Sequence, residues 1–198
     1  KRPANLRGVF NSTAMMEYNT RFIRPDDAQR VLDIYAPYIE HTNISFEYEV
    51  PTPEAFRQRI ETITAEYPWL VCEHNGEIVG YAYAGQHRAR TAYKWSVESA
   101  IYMAEDFCGK GAGKLLYNRL FDLLRQQGFV NVFAGMTLPN AKSERLHRSC
   151  GFRDIGVFEK IGYKNNQWHD VRWMQLDLQE HGKDMRLPVH IHEVMKNA

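Results

Sequence analysis

FCGKGAGKLLY, residues 107–117, sets Gly109, Gly111 and Gly113 into five positions and then runs straight into an apolar-periodic segment. Glycine at that density lets a backbone approach a ligand closely and take conformations a Cβ would forbid. Downstream, Leu116, Leu120, Leu123 and Leu124 recur on one helical face. Asn118, Arg119, Asp122, Arg125 and Gln126 lie on the other, and Gly128 closes the helix as its C-cap. The apolar run from Trp95 to Met103 comes just before the glycines and reads as a strand. Strand, glycine-rich loop and helix N-terminus together make a site for a phosphate, because the first amides of a helix lack partners and sit at the positive end of its dipole.

The spacing excludes two common phosphate loops. A P-loop reading back from Gly113 and Lys114 needs glycine at 108 and a hydroxyl at 115, where the chain has Cys108 and Leu115. The dinucleotide fingerprint accepts Gly109 and Gly111 but needs a third glycine where Lys114 stands.

With 198 residues, the chain has enough length for one domain with a sizeable core. A net charge of +1 gives no broad basic footprint for nucleic acid, and no apolar run reaches the ~18 residues of a membrane span. The three cysteines, Cys72, Cys108 and Cys150, lack C-x-x-C spacing and point to reduced thiols in a cytoplasm. His181, His190 and His192 have no supporting carboxylate or cysteine cluster, so no metal site is expected.

In chain order, residues 1–18 read as an N-terminal arm and Thr20 to Arg24 as a strand. Pro25-Asp26-Asp27 and Thr52-Pro53-Glu54 open two helices. Between them a loop holds Phe46 and Tyr48. Trp69 to Glu73 and Ile78 to Ala84 form a hairpin around Asn75-Gly76. A basic loop from Gln86 to Lys94 precedes the Trp95 strand. Val130 to Leu138, Phe152 to Lys160 and Val171 to Leu178 read as further strands, with a short helix from Ala141 to Ser149. The last two strands are expected to be joined through Gly162 to Asp170. Residues 19–179 then form one mixed α/β sheet, and 180–198 a polar C-terminal tail.

From Tyr67 to Leu178 this order resembles the GNAT acetyltransferases. Their acetyl-CoA loop, Q/R-x-x-G-x-G/A, is matched from Cys108 to Gly113 except at its first position, where Cys108 stands. Four further stretches resemble the phosphinothricin and methionine sulfoximine N-acetyltransferases in particular. They are Tyr93-x-Trp95-Ser96-Val97-Glu98-Ser99-x-Ile101-Tyr102, Leu138-Pro139-Asn140, Leu146-His147-x-x-x-Gly151-Phe152, and Gly162-Tyr163-Lys164-x-x-x-Trp168-His169-Asp170-Val171. The resemblance implies a single mixed, mostly antiparallel central sheet flanked by helices. It also implies acetyl-CoA as co-substrate, a small amino-acid analogue as acceptor, and a homodimer.

Site residues follow from the same resemblance. Glu98, in an otherwise apolar strand, matches the general base that takes a proton from the substrate ammonium, a task any acetyl transfer to an amine requires. His147 matches a second proton-handling or orienting group. Phe46, Arg88, Arg90, Tyr93 and Tyr102 fall in the substrate pocket. The i, i+2 spacing of the two arginines suits a bidentate clamp on an oxyanion. Ile101, Met103, Ala104, Gly109, Lys110, Gly111, Ala112, Gly113, Lys114, Asn140 and Ser143 match positions along CoA. Cys150 reads as packing, since direct transfer needs no acyl-enzyme. Acetylation of another small amine or a protein N-terminus, and a CoA-binding module without turnover, are the alternatives.

Overall fold

The computed structural model describes residues 17–196. The expected arm, residues 1–18, lies outside them except for its last two positions. In chain order the elements are β1 (Asn19–Phe22), α1 (Ala28–Glu40), α2 (Pro53–Thr64), β2 (Trp69–His74), β3 (Glu77–Gln86), β4 (Ser96–Met103), α3 (Ala112–Gln127), β5 (Asn131–Thr137), α4 (Ala141–Ser149), β6 (Arg153–Lys164), β7 (Gln167–Asp177) and α5 (Ile191–Lys196). The strands form one sheet in the order β1-β2-β3-β4-β5-β7-β6. Every pairing is antiparallel except β4 with β5. This is the mixed, mostly antiparallel sheet expected.

Each face of the sheet is covered by helices whose apolar stripe matches it. α3 buries Leu116, Tyr117, Leu120, Phe121 and Leu124 against Leu70, Ala82, Val97, Val132 and Met174. Full burial of such side chains contributes about 1.5–3 kcal/mol each. On the opposite face, α1 and α2 bring Val31, Ile34, Tyr35, Phe56 and Ile60 onto Trp69, Val71 and Tyr81. Thr52 caps α2, its hydroxyl accepting from the Ala55 amide at 3.2 Å, with Pro53 as the first helical residue.

The expected connection from Gly162 to Asp170 is instead a continuation of both strands. β6 and β7 pair through Lys164 and Gln167, and Asn165 and Asn166 turn the chain with φ of 51° and 58°. Two consecutive left-handed residues make the two-residue turn that matches strand twist, and asparagine tolerates that region. The hairpin is fastened to the α1–α2 loop by Lys164, whose buried Nζ donates to the carbonyls of Ile39 (2.6 Å), Thr42 (3.0 Å) and Ser45 (2.8 Å).

The tail, polar overall, folds back onto the domain. Ile191 and Val194 join the core beneath α3. Gln127 Nε2 donates to the carbonyls of Glu66 and Val189, and Trp95 Nε1 to that of Arg186 at 2.7 Å.

Candidate active site

β4 pairs with β3 from Val97 to Met103. With β5 it pairs at three positions only, Ser96–Asn131, Val97–Val132 and Glu98–Phe133, while β5 continues alongside β7 to Thr137. The sheet therefore forks at Glu98. Beyond it, the edge of β4 that faces β5 has no strand partner, and an extended ligand in the fork can take the hydrogen bonds a strand would. Ile101 and Met103 lie on that open length. The Met103 carbonyl accepts from the Tyr38 hydroxyl at 2.6 Å, and the Ala104 amide donates to Val79 at 2.8 Å.

The glycine loop follows. Gly109 and Gly111 have φ of +75° and +95°, a left-handed region where a side chain is strained. Gly111 caps α3 without a side-chain bond, so the amides of Ala112, Gly113 and Lys114 have no partner within the helix. A Cβ on Gly113 would stand 3.2 Å from Leu146 of α4 and 3.5 Å from Ile101 of β4. The start of α3 is thus pressed into the fork between them. Lys110 and Lys114 are exposed beside it. Free amides and two cations at one end, with an open strand edge leading away, fit CoA's pyrophosphate and the amide-bearing arm that follows it.

Residues along β4 alternate between the faces. Val97, Ser99 and Ile101 face α3, whereas Glu98 and Tyr102 face the side of α1 and α2. Glu98 and His147 consequently lie on opposite sides of the sheet. His147 is buried on the α3 side, and both ring nitrogens are engaged. Nδ1 lies 2.8 Å from the Ser143 carbonyl, which can only accept, so Nδ1 carries the proton. Nε2 then accepts from the Tyr117 hydroxyl at 2.9 Å, and Tyr117 accepts from Ser99 at 3.4 Å. Burial pushes the His147 pKa down and the Tyr117 pKa up. A neutral imidazole with its lone pair occupied orients Tyr117 and has no free nitrogen for a substrate proton.

On the other face, Glu98 Oε1 lies 2.8 Å from Nδ1 of His87, just beyond β3. Arg88 reaches back to His87, its Nε 3.4 Å from Nε2, and its guanidinium lies 5.8 Å from the Tyr93 ring. Arg90 is exposed at the start of a single 3-10 turn, Thr91–Tyr93. Tyr102 packs among Tyr35, Tyr38 and Tyr81, with centroids at 4.7, 5.2 and 5.4 Å. Burial pushes its pKa well up, keeping the hydroxyl a donor. Phe46 lies over Gly162, where any Cβ would come within 2.1 Å of the ring, and so belongs to the hairpin side of the site.

Asn140 caps α4, its Oδ1 accepting from the Ser143 amide at 3.1 Å. Burial pushes the Cys150 thiol up, away from the reactive thiolate. Residue order singles out neither His87 nor Tyr117. Tyr117 stands beside Leu116 on the buried stripe of α3, where helical periodicity marks it only as core. His87 sits in a polar loop with no spacing signal at all. Among the described residues no cluster of three or more metal-ligating side chains occurs.

A fork that admits an extended chain, amides ready for a pyrophosphate, and a carboxylate across the sheet define an acyl-CoA-dependent acyltransferase. The family model described as an acetyltransferase (GNAT) domain matches residues 20–173. The chain belongs to that family and is an acetyl-CoA-dependent acetyltransferase. Among its relatives is phosphinothricin N-acetyltransferase of Streptomyces viridochromogenes, 40% identical over 153 residues, spanning 77% of this chain and 84% of that one. The L-methionine sulfoximine/L-methionine sulfone acetyltransferase of Salmonella typhimurium is 34% identical over 162 residues, covering 81% and 95%. A GNAT phosphinothricin acetyltransferase from Sinorhizobium meliloti, solved with acetyl-CoA, superimposes with a TM-score of 0.83 at 31% identity, covering 88% of this chain and 96% of that one.

Proposed function

We propose that this acetyltransferase acts on the α-amino group of a small amino-acid analogue of the phosphinothricin or methionine sulfoximine type, with Glu98 as general base. The position of Glu98 carries the reading. It is the last residue of β4 paired with β5, at the fork, on the face away from α3, and its side chain is 42% exposed. When bound, acetyl-CoA supplies an activated acyl carbon and a thiolate leaving group. Glu98 accepts a proton from the substrate ammonium, directly or through one water, freeing the nitrogen lone pair. Arg88 and Arg90, in the loop beside it, hold the substrate's anionic groups, while Tyr93, Tyr102 and Phe46 shape the pocket. Gly109, Lys110, Gly111, Ala112, Gly113 and Lys114 take the pyrophosphate. Ile101, Met103, Ala104, Asn140 and Ser143 lie along the arm. His147 orients Tyr117.

Thiol release from acetyl-CoA across a panel of free amino acids, their analogues and peptides tests this directly. Phosphinothricin or methionine sulfoximine is expected to be turned over, and Arg90→Ala to raise its KM while the KM for acetyl-CoA stands. Glu98→Gln should bind substrate yet lose about two to four orders of magnitude in kcat, with a residual rate that climbs with pH as bulk water deprotonates the amine. Peptide turnover without free amino-acid turnover would redirect the reading to protein N-termini. A Glu98→Gln enzyme near wild-type kcat at neutral pH would end the base assignment.

The protein is also proposed to work as a homodimer in the cytoplasm. Its three free cysteines suit a reducing compartment. The exposed apolar side chains of the outer hairpin, β6 and β7, support the dimer.

A further inference from the structure

His87 has no task in the reaction as described, yet its ring is packed and hydrogen-bonded on several sides. Its ring lies flat on Phe133 of β5, with centroids 4.4 Å apart and planes within 17°. Tyr93 and Trp173 meet it edge-on at 6.1 and 6.2 Å. Only 10% of the side chain is exposed. Among the described residues, His87 is the one hydrogen-bond partner of the Glu98 carboxylate, through Oε1.

The neighbours select the tautomer. A carboxylate only accepts and a guanidinium only donates. Glu98 Oε1 therefore requires a proton on Nδ1, and the Nε of Arg88 requires a lone pair on Nε2. One neutral imidazole satisfies both.

We propose that His87 is a positioning residue for acetyl transfer: in its neutral Nδ1–H form it fixes the Glu98 carboxylate at the fork of the sheet and Arg88 beside it. This rests on Glu98 being the base. The proton leaves the substrate nitrogen, forms an O–H bond on the Glu98 carboxyl and departs to solvent from the exposed side. His87 gains no proton in the cycle. The titratable and charged groups facing the ring are Glu98 from β4 and Arg88 and Tyr93 from the loop. Phe133 and Trp173, from β5 and β7, do not titrate. A proton on Nε2 as well would set one cation against another at Arg88 and take away the lone pair that its Nε donates to.

The test compares kcat and KM from pH 5.5 to 9 for His87→Phe, His87→Asn and His87→Gln, with Glu98→Gln alongside and a thermal melt of each. His87→Phe keeps the aromatic stack and loses the donor. Its kcat/KM should fall roughly ten- to a hundredfold, the scale of a hydrogen bond to a charged group. In His87→Asn the side-chain amide places an N–H where Nδ1 stands. That variant should therefore recover most of the rate. His87→Gln, whose amide reaches one carbon further, should not recover. The KM for acetyl-CoA should hold in all three. Wild-type kinetics in His87→Phe overturn the proposal. So does an equal loss in His87→Phe and His87→Asn, which would mean the ring's packing and not its hydrogen bond matters; the Asn variant decides should the Phe variant not fold. An inactive Glu98→Gln beside an unaffected His87→Phe leaves the base assignment standing without His87. An active Glu98→Gln removes the base assignment itself.

Discussion

Two histidines on opposite faces of the sheet are held in different ways. His87 touches the Glu98 carboxylate, the proposed base, whereas His147 is buried on the other face with Tyr117 and Ser143. Burial lowers the His147 pKa below its ordinary value of 6.5. The unfolded chain therefore binds a proton that the folded one resists. The stability this contributes is complete above about pH 6.5 and is lost as pH falls through the folded value. Calorimetry of wild type and His147→Gln between pH 8 and 5 checks it: the glutamine variant should show a smaller fall in Tm across that range, because a charge no longer has to be refused. Parallel curves would assign the acid sensitivity to other groups.

At the scale of elements, the fork between β4 and β5 and the N-terminus of α3 form one device. The pairing stops at Glu98, and the space beyond is bounded by a helix that begins close to β4 because residue 113 has no side chain. Gly111 differs from Gly113 in that a Cβ there meets nothing within 4 Å, yet its φ of +95° is disfavoured for any β-branched residue. Gly111→Val should consequently leave the fold in place, shift the loop and withdraw amides from the pyrophosphate. Calorimetric titration with CoA should show affinity falling at least tenfold, the loss of about one hydrogen bond to a charged group. Wild-type affinity in a folded Gly111→Val protein would take the loop out of the site.

For the whole molecule, the unusual feature is the outer hairpin. β6 is the edge of the sheet, and it and β7 leave Ile155, Val157, Phe158, Ile161, Tyr163 and Trp168 exposed, Ile161 at 57% and Trp168 at 61%. Tyr48, at 68%, adjoins them and donates to the Tyr163 carbonyl. Exposed apolar side chains along an unpaired edge strand invite a partner. The homodimer proposal rests on this: a second copy covers the hairpin. Sedimentation should give a dimer for wild type, and Phe158→Asp with Ile161→Asp should give a folded monomer. A monomeric wild type at micromolar concentration would remove the dimer.

Much of this architecture is local and was legible in residue order. Helical periodicity set α3 and its buried stripe, Asn75-Gly76 the β2–β3 turn, Thr52-Pro53 the start of α2, and the glycines the phosphate loop, because each is a property of a few adjacent residues. Glu98 stood out as the one acid in an apolar strand. What residue order did not carry was pairing over distance. The continuation of β6 and β7 past Gly162 depends on cross-strand bonds and on Lys164 reaching the carbonyls of the α1–α2 loop. Ile191 and Val194 are too few to announce a core element until α3 lies above them. That Glu98 and His147 belong to opposite faces follows from strand alternation only once the helix on each face is known. His87 becomes a partner of Glu98 only because β3 and β4 pair in register and bring residues 11 apart within 2.8 Å. Local chemistry, written in neighbouring residues, determined the elements and the loop; the contacts that join them across the sheet existed only after folding.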